Sequence, residues 1–437
     1  MSASKWKPYP AYKSTNETWI PSIPINWDIK PLQFVFEEKK WLNKNGEENN
    51  VLSLSYGKII RRDISKNFGL LPASFNTYNI VNPESIILRL TDLQNDKKSL
   101  RVGIVKEKGI ITSAYLCIKS NSSSLNRYGY LLLHAFDLTK IFYAIGDGVR
   151  QSMGYEQMRK LSIAIPSKEE REKIIRFCGK IDSTIQSLIE SMEENLILLE
   201  EKRSALIKQA VSKGLNPGVP MKDSGIDWIG EIPEHWVVKR MKQITNEVTA
   251  GPFGSSLTKA MYVKSGYRVY GQEQVIADDF SIGDYYISNQ KFDEMQRYQV
   301  KEDDILVSAI GTIGRVSVFP REAEEGIFNP RLVRYAVNKE MIKPYFLKHL
   351  LLSDCSQIYF NLSAGGTTMR VLNLQIIGET PLLIPPISEQ NEITMYIEGK
   401  NKLIENYNEK ITSKIEKLKE YRTALISAAV TGKIDVQ

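Results

Sequence analysis

A nine-residue pattern occurs twice in this chain and limits its fold more than any other feature. Trp19-Ile20-x-x-Ile23-Pro24-x-x-Trp27 returns as Trp228-Ile229-x-x-Ile232-Pro233-x-x-Trp236, an offset of 209, with Lys30 and Lys239 matching three residues further on. A second match begins at Ile165-Pro166 and Ile384-Pro385, now at an offset of 219, so the second copy carries ten more residues between its two markers. That offset then holds through Ile185 and Ile404, Met192 and Ile411, Leu196 and Ile415, Leu199 and Leu418, Arg203 and Arg422, and Leu206 and Leu425. The repeat predicts four segments: a variable domain over 1–165, a helix over 166–213, a second variable domain over 214–385 and a second helix over 386–437. Between the markers the copies diverge, leaving only echoes such as Gly109-Ile110 against Gly326-Ile327. A fixed frame around unlike inserts fits one scaffold performing one task on two different objects.

The shared segments read as long helices. Apolar residues at Phe177, Ile181, Ile185, Leu188, Met192, Leu196, Leu199 and Leu206 step by threes and fours, and Ile404, Tyr407, Ile411, Ile415, Leu418 and Leu425 repeat the stripe. Pro166 and Pro385 suit a helix start, as do Glu169, Glu170 and Glu172. A helix of about 45 residues reaches on the order of 65 Å, farther than its own domain needs, so it wants a partner. The other copy shares its register, and an antiparallel coiled coil of the two would relate the halves by a pseudo-two-fold axis. Gly179 and Gly399 are candidate bends near the helix starts.

The variable segments show short β-rich runs at Ser85–Leu88, Ile110–Thr112, Asp304–Val307 and Arg315–Phe319, with a helical stretch at Pro344–Ser353. The expected class is therefore α+β: two loop-rich mixed domains alternating with two long helices. The net charge of +7 is uneven. Residues 1–165 hold 23 cations against 14 acids, a net of +9, whereas 214–385 hold 18 against 20. If the second domain binds DNA, it must put its cations on one face and its acids elsewhere.

Three glycine loops in that domain carry hydroxyls and cations suited to phosphates and base edges: Gly254, Ser255 and Ser256; Thr312 and Arg315; and Thr367, Thr368 and Arg370. The first domain offers Lys58, Arg61 and Arg62 as one basic run, then Asn76 and Asn79, then Arg150, Gln151 and Ser152 just ahead of its helix.

With these features together, the chain resembles the specificity subunits of type I restriction-modification systems over nearly its whole length. The stretch Ser224-Gly225-Ile226-Asp227-Trp228-Ile229-Gly230-Glu231-Ile232-Pro233-Glu234-His235-Trp236 carries the resemblance best, supported by the helix tails Arg203–Ser212 and Arg422–Thr431. The resemblance implies two target-recognition domains, each reading half of an interrupted site in double-stranded DNA, about one helical turn or roughly 34 Å apart. It also implies a helix pair, centred on Ile185, Met192, Leu196, Leu199, Leu206, Ile404, Ile411, Ile415, Leu418 and Leu425, that docks two methyltransferase subunits and, through that complex, restriction subunits. Cofactors would belong to those partners, as S-adenosylmethionine, ATP and Mg, with none bound by this chain. The first copy departs from the pattern, since Trp19-Ile20-Pro21-Ser22 lacks the Gly230-Glu231 pair and its domain lacks a Gly311-type loop.

Motifs for chemistry in the chain itself are missing. Asn329-Pro330-Arg331-Leu332 lacks the second proline and the aromatic ring of an adenine methyltransferase tetrad and reads as a turn; no Walker or His-Glu-x-x-His string occurs. Glu37-Glu38-Lys39 matches only the end of a nuclease motif. Three cysteines without Cys-x-x-Cys spacing and no long apolar run fit a reduced, cytoplasmic protein outside the membrane. A stand-alone DNA-binding regulator or coiled-coil scaffold is the alternative reading.

Overall fold

Both proline-led segments are single helices, 46 residues at Lys168–Lys213 and 44 residues at Ile387–Val430, uninterrupted at Gly179 and Gly399. The computed structural model describes residues 6–63, 74–91, 93, 100–145, 152–364 and 371–436. Each helix start is closed by a buried side chain reaching back to the proline: Arg171 Nη1 donates to the Pro166 carbonyl at 2.7 Å and Gln390 Nε2 to the Pro385 carbonyl at 2.9 Å. Residues 171 and 390 are counterparts at the 219 offset, so two different side chains do one job.

The chain divides into two units, residues 1–193 with 412–437 and residues 194–411, and each is built the same way. In the second unit Arg203 Nε donates to Asn401 Oδ1 at 2.9 Å and faces Glu405 at 3.6 Å, while Asn408 Nδ2 donates to Glu200 Oε1 at 2.9 Å. Moving down one helix moves up the other, so the pair runs antiparallel. In the first unit Arg422 Nη1 donates to Asp182 Oδ1 at 3.3 Å and Gln186 Oε1 at 3.2 Å. Residues 182 and 186 are the counterparts of 401 and 405, so the arginine clamp is made twice.

Ile185, Ile404, Ile415 and Leu425 are buried, and Met192, Leu196, Leu199, Leu206, Ile411 and Leu418 are half-buried. The stripe read from the sequence needs two corrections. Leu188 is 45% exposed and Tyr407 58% exposed, and the first helix buries Ile189 beside Ile185 instead. A straight helix of 3.6 residues per turn drifts off a strict seven-residue repeat, which moves the buried position by one.

The two tryptophan motifs hold the helix ends. Trp27 and Trp236 have no exposed surface; Trp27 packs in one core with Ala429 and Val430, and Trp236 in the other with Ala210 and Val211. Strand Asp28–Pro31 pairs with Ser162–Ile165, and Val237–Arg240 pairs with Pro381–Ile384, tying each motif to the segment ahead of a long helix.

Each variable domain has a four-stranded antiparallel sheet. The first runs in the order Glu37–Glu38, Leu116–Lys119, Ile86–Leu88, Val102–Ile104, and the second in the order Thr245–Ala250, Leu332–Val337, Ile305–Ser308, Val316–Val318. The Gly109 and Gly326 echo now has a cause. Both glycines begin a buried edge strand, and an added Cβ would lie 2.5 Å from the Asn50 carbonyl oxygen in one and 2.3 Å from the Arg268 carbonyl oxygen in the other. Only glycine lets the neighbouring backbone come that close.

Candidate nucleic-acid interface

The second sheet gathers its glycine loops at one end. The loop after Thr245–Ala250 is fastened by the Gly251 N–H to the Leu332 carbonyl at 3.0 Å, Ala309 N–H donates to the Arg331 carbonyl at 2.9 Å, and Leu372 N–H to the Ala309 carbonyl at 2.8 Å. These bonds place the 251–256 loop, the 329–331 turn, the 309–315 loop and the chain leaving 365–370 side by side. Gly251 touches the turn so closely that a Cβ would sit 2.2 Å from the Asn329 carbonyl oxygen. Gln272 Nε2 braces the 309–315 loop by donating to the Ile310 carbonyl at 2.6 Å and the Thr312 carbonyl at 3.2 Å, and Gln357 Nε2 donates to the Gly314 carbonyl at 2.8 Å.

Gly254, Ser255, Ser256, Thr312, Arg315 and Arg331 are exposed along this edge, and its three described loops contain no acidic residue. Acids collect at the sheet's other end: Glu302 and Asp303 precede Ile305–Ser308, Glu322, Glu324 and Glu325 follow Val316–Val318, and Glu340 follows Leu332–Val337. A domain of slightly negative net charge thus still offers loops without acids to a polyanion, although Asp278 and Asp354 line a cleft with Arg315. Strand pairing is fixed inside by an ion pair: Arg334 Nη1 meets Asp304 Oδ2 at 3.2 Å with both side chains about 95% covered, exposures being 4% and 5%, and Arg334 also holds Glu247. Burial raises the Asp304 carboxyl above its ordinary range, against the opposing pull of the Lys301 N–H and Arg334.

The first domain builds the same edge from other residues. Lys39 N–H donates to the Cys117 carbonyl at 2.8 Å where Gly251 donates to Leu332, and Met153 N–H donates to the Leu90 carbonyl at 2.8 Å where Leu372 donates to Ala309. Arg101, fully buried, is the brace: its Nη1 donates to the Arg89 carbonyl at 3.2 Å and the Thr91 carbonyl at 2.7 Å, and its backbone N–H donates to Asp137 Oδ2 at 2.5 Å. Its place just before Val102–Ile104 is that of Arg315 just before Val316–Val318.

The sequence candidates divide accordingly. Lys58 and Arg61 are exposed and Arg62 half-exposed, yet the basic run is not one patch. Lys58 and Arg61 cap opposite ends of a strand, roughly 10 Å apart at 3.3 Å per residue, and Lys58 lines a cleft with Leu100, His134, Asp182 and Arg422. Asn76 and Ser152 are exposed. Asn79 is corrected: it lies inside strand Asn79–Val81 with 3% exposure, where alternation turns it toward the core, out of reach of a duplex. Arg150, Gln151, Thr367, Thr368 and Arg370 fall outside the described residues. Sequence reasoning missed Lys39, Gln272 and Arg331, although Arg331 was legible as the cation of the Asn-Pro-Arg turn.

Glu37 and Glu38 are edge-strand residues paired with Lys119 and Ile118, and Lys39 Nζ contacts Glu37 at 2.6 Å. Cys117, Cys178 and Cys355 are buried free thiols, burial pushing Cys117 up to about 11 and Cys178 up to about 12. Among the described residues no group of His, Cys, Asp and Glu is arranged to hold a metal ion, and no helix is long and apolar enough to cross a membrane.

Residues 233–417 match the profile of the type I restriction modification DNA specificity domain. The chain is 23% identical over 449 residues, 98% of each sequence, to one named as the MjaX type I restriction enzyme specificity subunit of Methanocaldococcus jannaschii. It is 22% identical over 344 residues, 76% of both, to the MjaVIII specificity subunit of the same organism. Among solved structures it is similar to a chain from a study of assembly and conformational transition in a type I R-M system, with TM-score 0.67 over 93% of this chain and 98% of the other at 13% identity. The HsdS subunit of Thermoanaerobacter tengcongensis gives TM-score 0.55 over 94% and 98%, again at 13% identity. At such identity the structural likeness speaks to the fold.

Proposed function

We infer that the chain belongs to the family of type I restriction-modification DNA specificity subunits, and from that premise propose that each recognition domain reads one half of a split DNA target while the paired helices dock two methyltransferase subunits. The observation that carries this reading is the sheet edge built twice on one plan from unrelated loops, with Lys39 and Gly251 in the same backbone bond. Two readers of unlike sequence on a common frame suit a target whose halves differ.

The docking part draws on a second repeated surface. On the first helix Leu196, Ile197, Ser204, Ala205 and Lys208 line a shallow groove beside Asp354; on the second Lys419, Thr423, Ala424 and Ser427 line another beside Leu138. Residues 200, 201, 204, 205 and 208 are counterparts of 419, 420, 423, 424 and 427, so one kind of partner could engage both. Small residues permit a close helix approach, and Ile197 at 62% exposed leaves apolar surface to cover. In this reading the chain supplies targeting alone; partner subunits carry the methyl transfer and cleavage, with S-adenosylmethionine, ATP and Mg.

The test is single-molecule methylation mapping in cells carrying the chain with its neighbouring methyltransferase gene, against cells lacking only this chain. A split motif with an unspecified gap, lost on deletion, supports the reading. Exchanging residues 220–385 with those of a relative should then change one half of the motif only; an unchanged motif would refute the two-reader assignment.

A further inference from the structure

Two aromatic side chains stand at matching places on the two edges. Phe253 is two residues beyond Gly251, whose N–H closes the pairing of strand Thr245–Ala250, and Trp41 is two residues beyond Lys39, whose N–H closes the pairing of Glu37–Glu38. Phe253 is 75% exposed and Trp41 47% exposed. Neither sits on a loose loop. Pro252 and Leu257 are buried on either side of Phe253, and Gly254, the next residue, takes a φ of +63°. The Trp41 carbonyl accepts the Ile80 N–H at 2.6 Å, Asn43 just beyond is 1% exposed, and Lys39 Nζ lies 5.9 Å from the Trp41 ring centre.

A lone exposed aromatic is ordinary on a protein surface. Phe34 is 73% exposed, and its counterpart at the 209 offset is Gln243. Trp41 and Phe253 differ from it in recurring at one structural position within loops, Lys-Lys-Trp and Gly-Pro-Phe, that otherwise share nothing. Each ring has exposed cations nearby: Lys40 next to Trp41, and Arg331 on the turn against Gly251. Cations that can hold phosphates around a rigid, outward apolar ring suit a base contact, where the ring meets a thymine methyl in the major groove or wedges against a base step.

The geometry points to Trp41 and Phe253 as paired apolar base contacts, one for each half of the target, an inference that rests on the two-reader assignment above. Its test uses the full chain assembled with its methyltransferase on the duplex identified by methylation mapping. Trp41→Ala and Phe253→Ala should each weaken target binding about tenfold or more, the scale of one lost aromatic–base contact. Affinity for an unrelated duplex and assembly with the methyltransferase should stay unchanged, and Trp41→Phe and Phe253→Trp should restore most of the binding. Each Ala variant should also stop discriminating one base pair in its own half only. Replacing that half's thymines with uracil reproduces the loss if the ring meets a methyl; a 2-aminopurine probe brightening on binding marks a wedge. Unchanged target affinity, an equal loss on unrelated DNA, or failed assembly would each overturn the inference. A wild-type complex that methylates no split motif would instead sink the two-reader assignment before any variant is made.

Discussion

The Arg334–Asp304 pair gives the sharpest handle on how the sheet behind the second candidate edge is held. Arg334→Met removes the cation and leaves Asp304, 4% exposed, as a buried carboxylate whose remaining donor is the Lys301 N–H at 2.7 Å. Stranding one partner of a buried pair costs about 3–5 kcal/mol. For a unit of this size, with 1 kcal/mol worth about 2–4 °C, the melting temperature should fall by roughly 6–20 °C. The double variant Arg334→Met with Asp304→Leu buries no charge and loses about 1 kcal/mol for the orphaned Lys301 N–H. Glu247, with its side chain 58% exposed, remains solvated in either background.

Acidity gives a second arm. Burial already holds the Asp304 pKa above its unfolded value, so the ionised form is penalised in the fold above that raised pKa and relieved as pH falls through it. Without Arg334 the pKa rises further, and the deficit of the single variant should shrink between about pH 7 and pH 5. Calorimetry of the full chain at both pH values, with single and double variants side by side, measures each quantity. A single variant no less stable than the double, or a deficit that grows on acidification, would refute the argument that an uncompensated buried charge is the cause.

Replacing Ile197 and Ala424, exposed in the two grooves, with Glu should abolish co-purification with the methyltransferase; circular dichroism checks that the helices persist, and a normal complex from the folded variant would remove the docking role. His349, 8% exposed, has its pKa lowered to about 4 first by burial and then by Lys348, with Arg203 adding and Asp278 opposing. Its depressed value makes the fold favour neutral imidazole, so stability is full above the unfolded pKa near 6.5 and declines as pH falls toward 4, by up to about 3 kcal/mol. In chemical denaturation, His349→Gln should lose less stability than wild type between pH 7 and pH 4.5; parallel losses would place the acid sensitivity elsewhere.

What could be read from the sequence was whatever repeats. The tryptophan motifs, the prolines and the paired apolar positions of the helices each recur because each copy needs the same contact, so the alternating layout was visible before any coordinate. The candidate loops were visible only where glycine marks them, as at Gly251, Gly254 and Gly311. The first domain achieves the same edge with Lys39, Arg101 and Met153, whose roles depend on backbone bonds to Cys117, Arg89 and Leu90. A charged residue such as Arg101 or Arg334 reads as surface in any hydropathy pattern, because its burial depends on partners 10 to 87 residues away. Asn79 failed for the converse reason: its polarity suggested a base contact while strand alternation turned it inward.

These two classes of residue explain how one frame tolerates unrelated readers. Arg203 and Arg422 are met by Asn401 with Glu405 in one unit and by Asp182 with Gln186 in the other, a swap of charge between positions that preserves the clamp. Arg171 and Gln390 close the helix starts interchangeably, since either can donate to a carbonyl. Gly109 and Gly326 admit no such exchange, because the constraint is a neighbouring backbone oxygen rather than a partner chemistry. The frame is therefore rigid where backbone meets backbone and permissive where a donor meets an acceptor. The loop edge lies beyond the last ladder bonds of the sheet, at Lys39 and Gly251, so its side chains can change without disturbing either kind of contact, which lets the two copies diverge there.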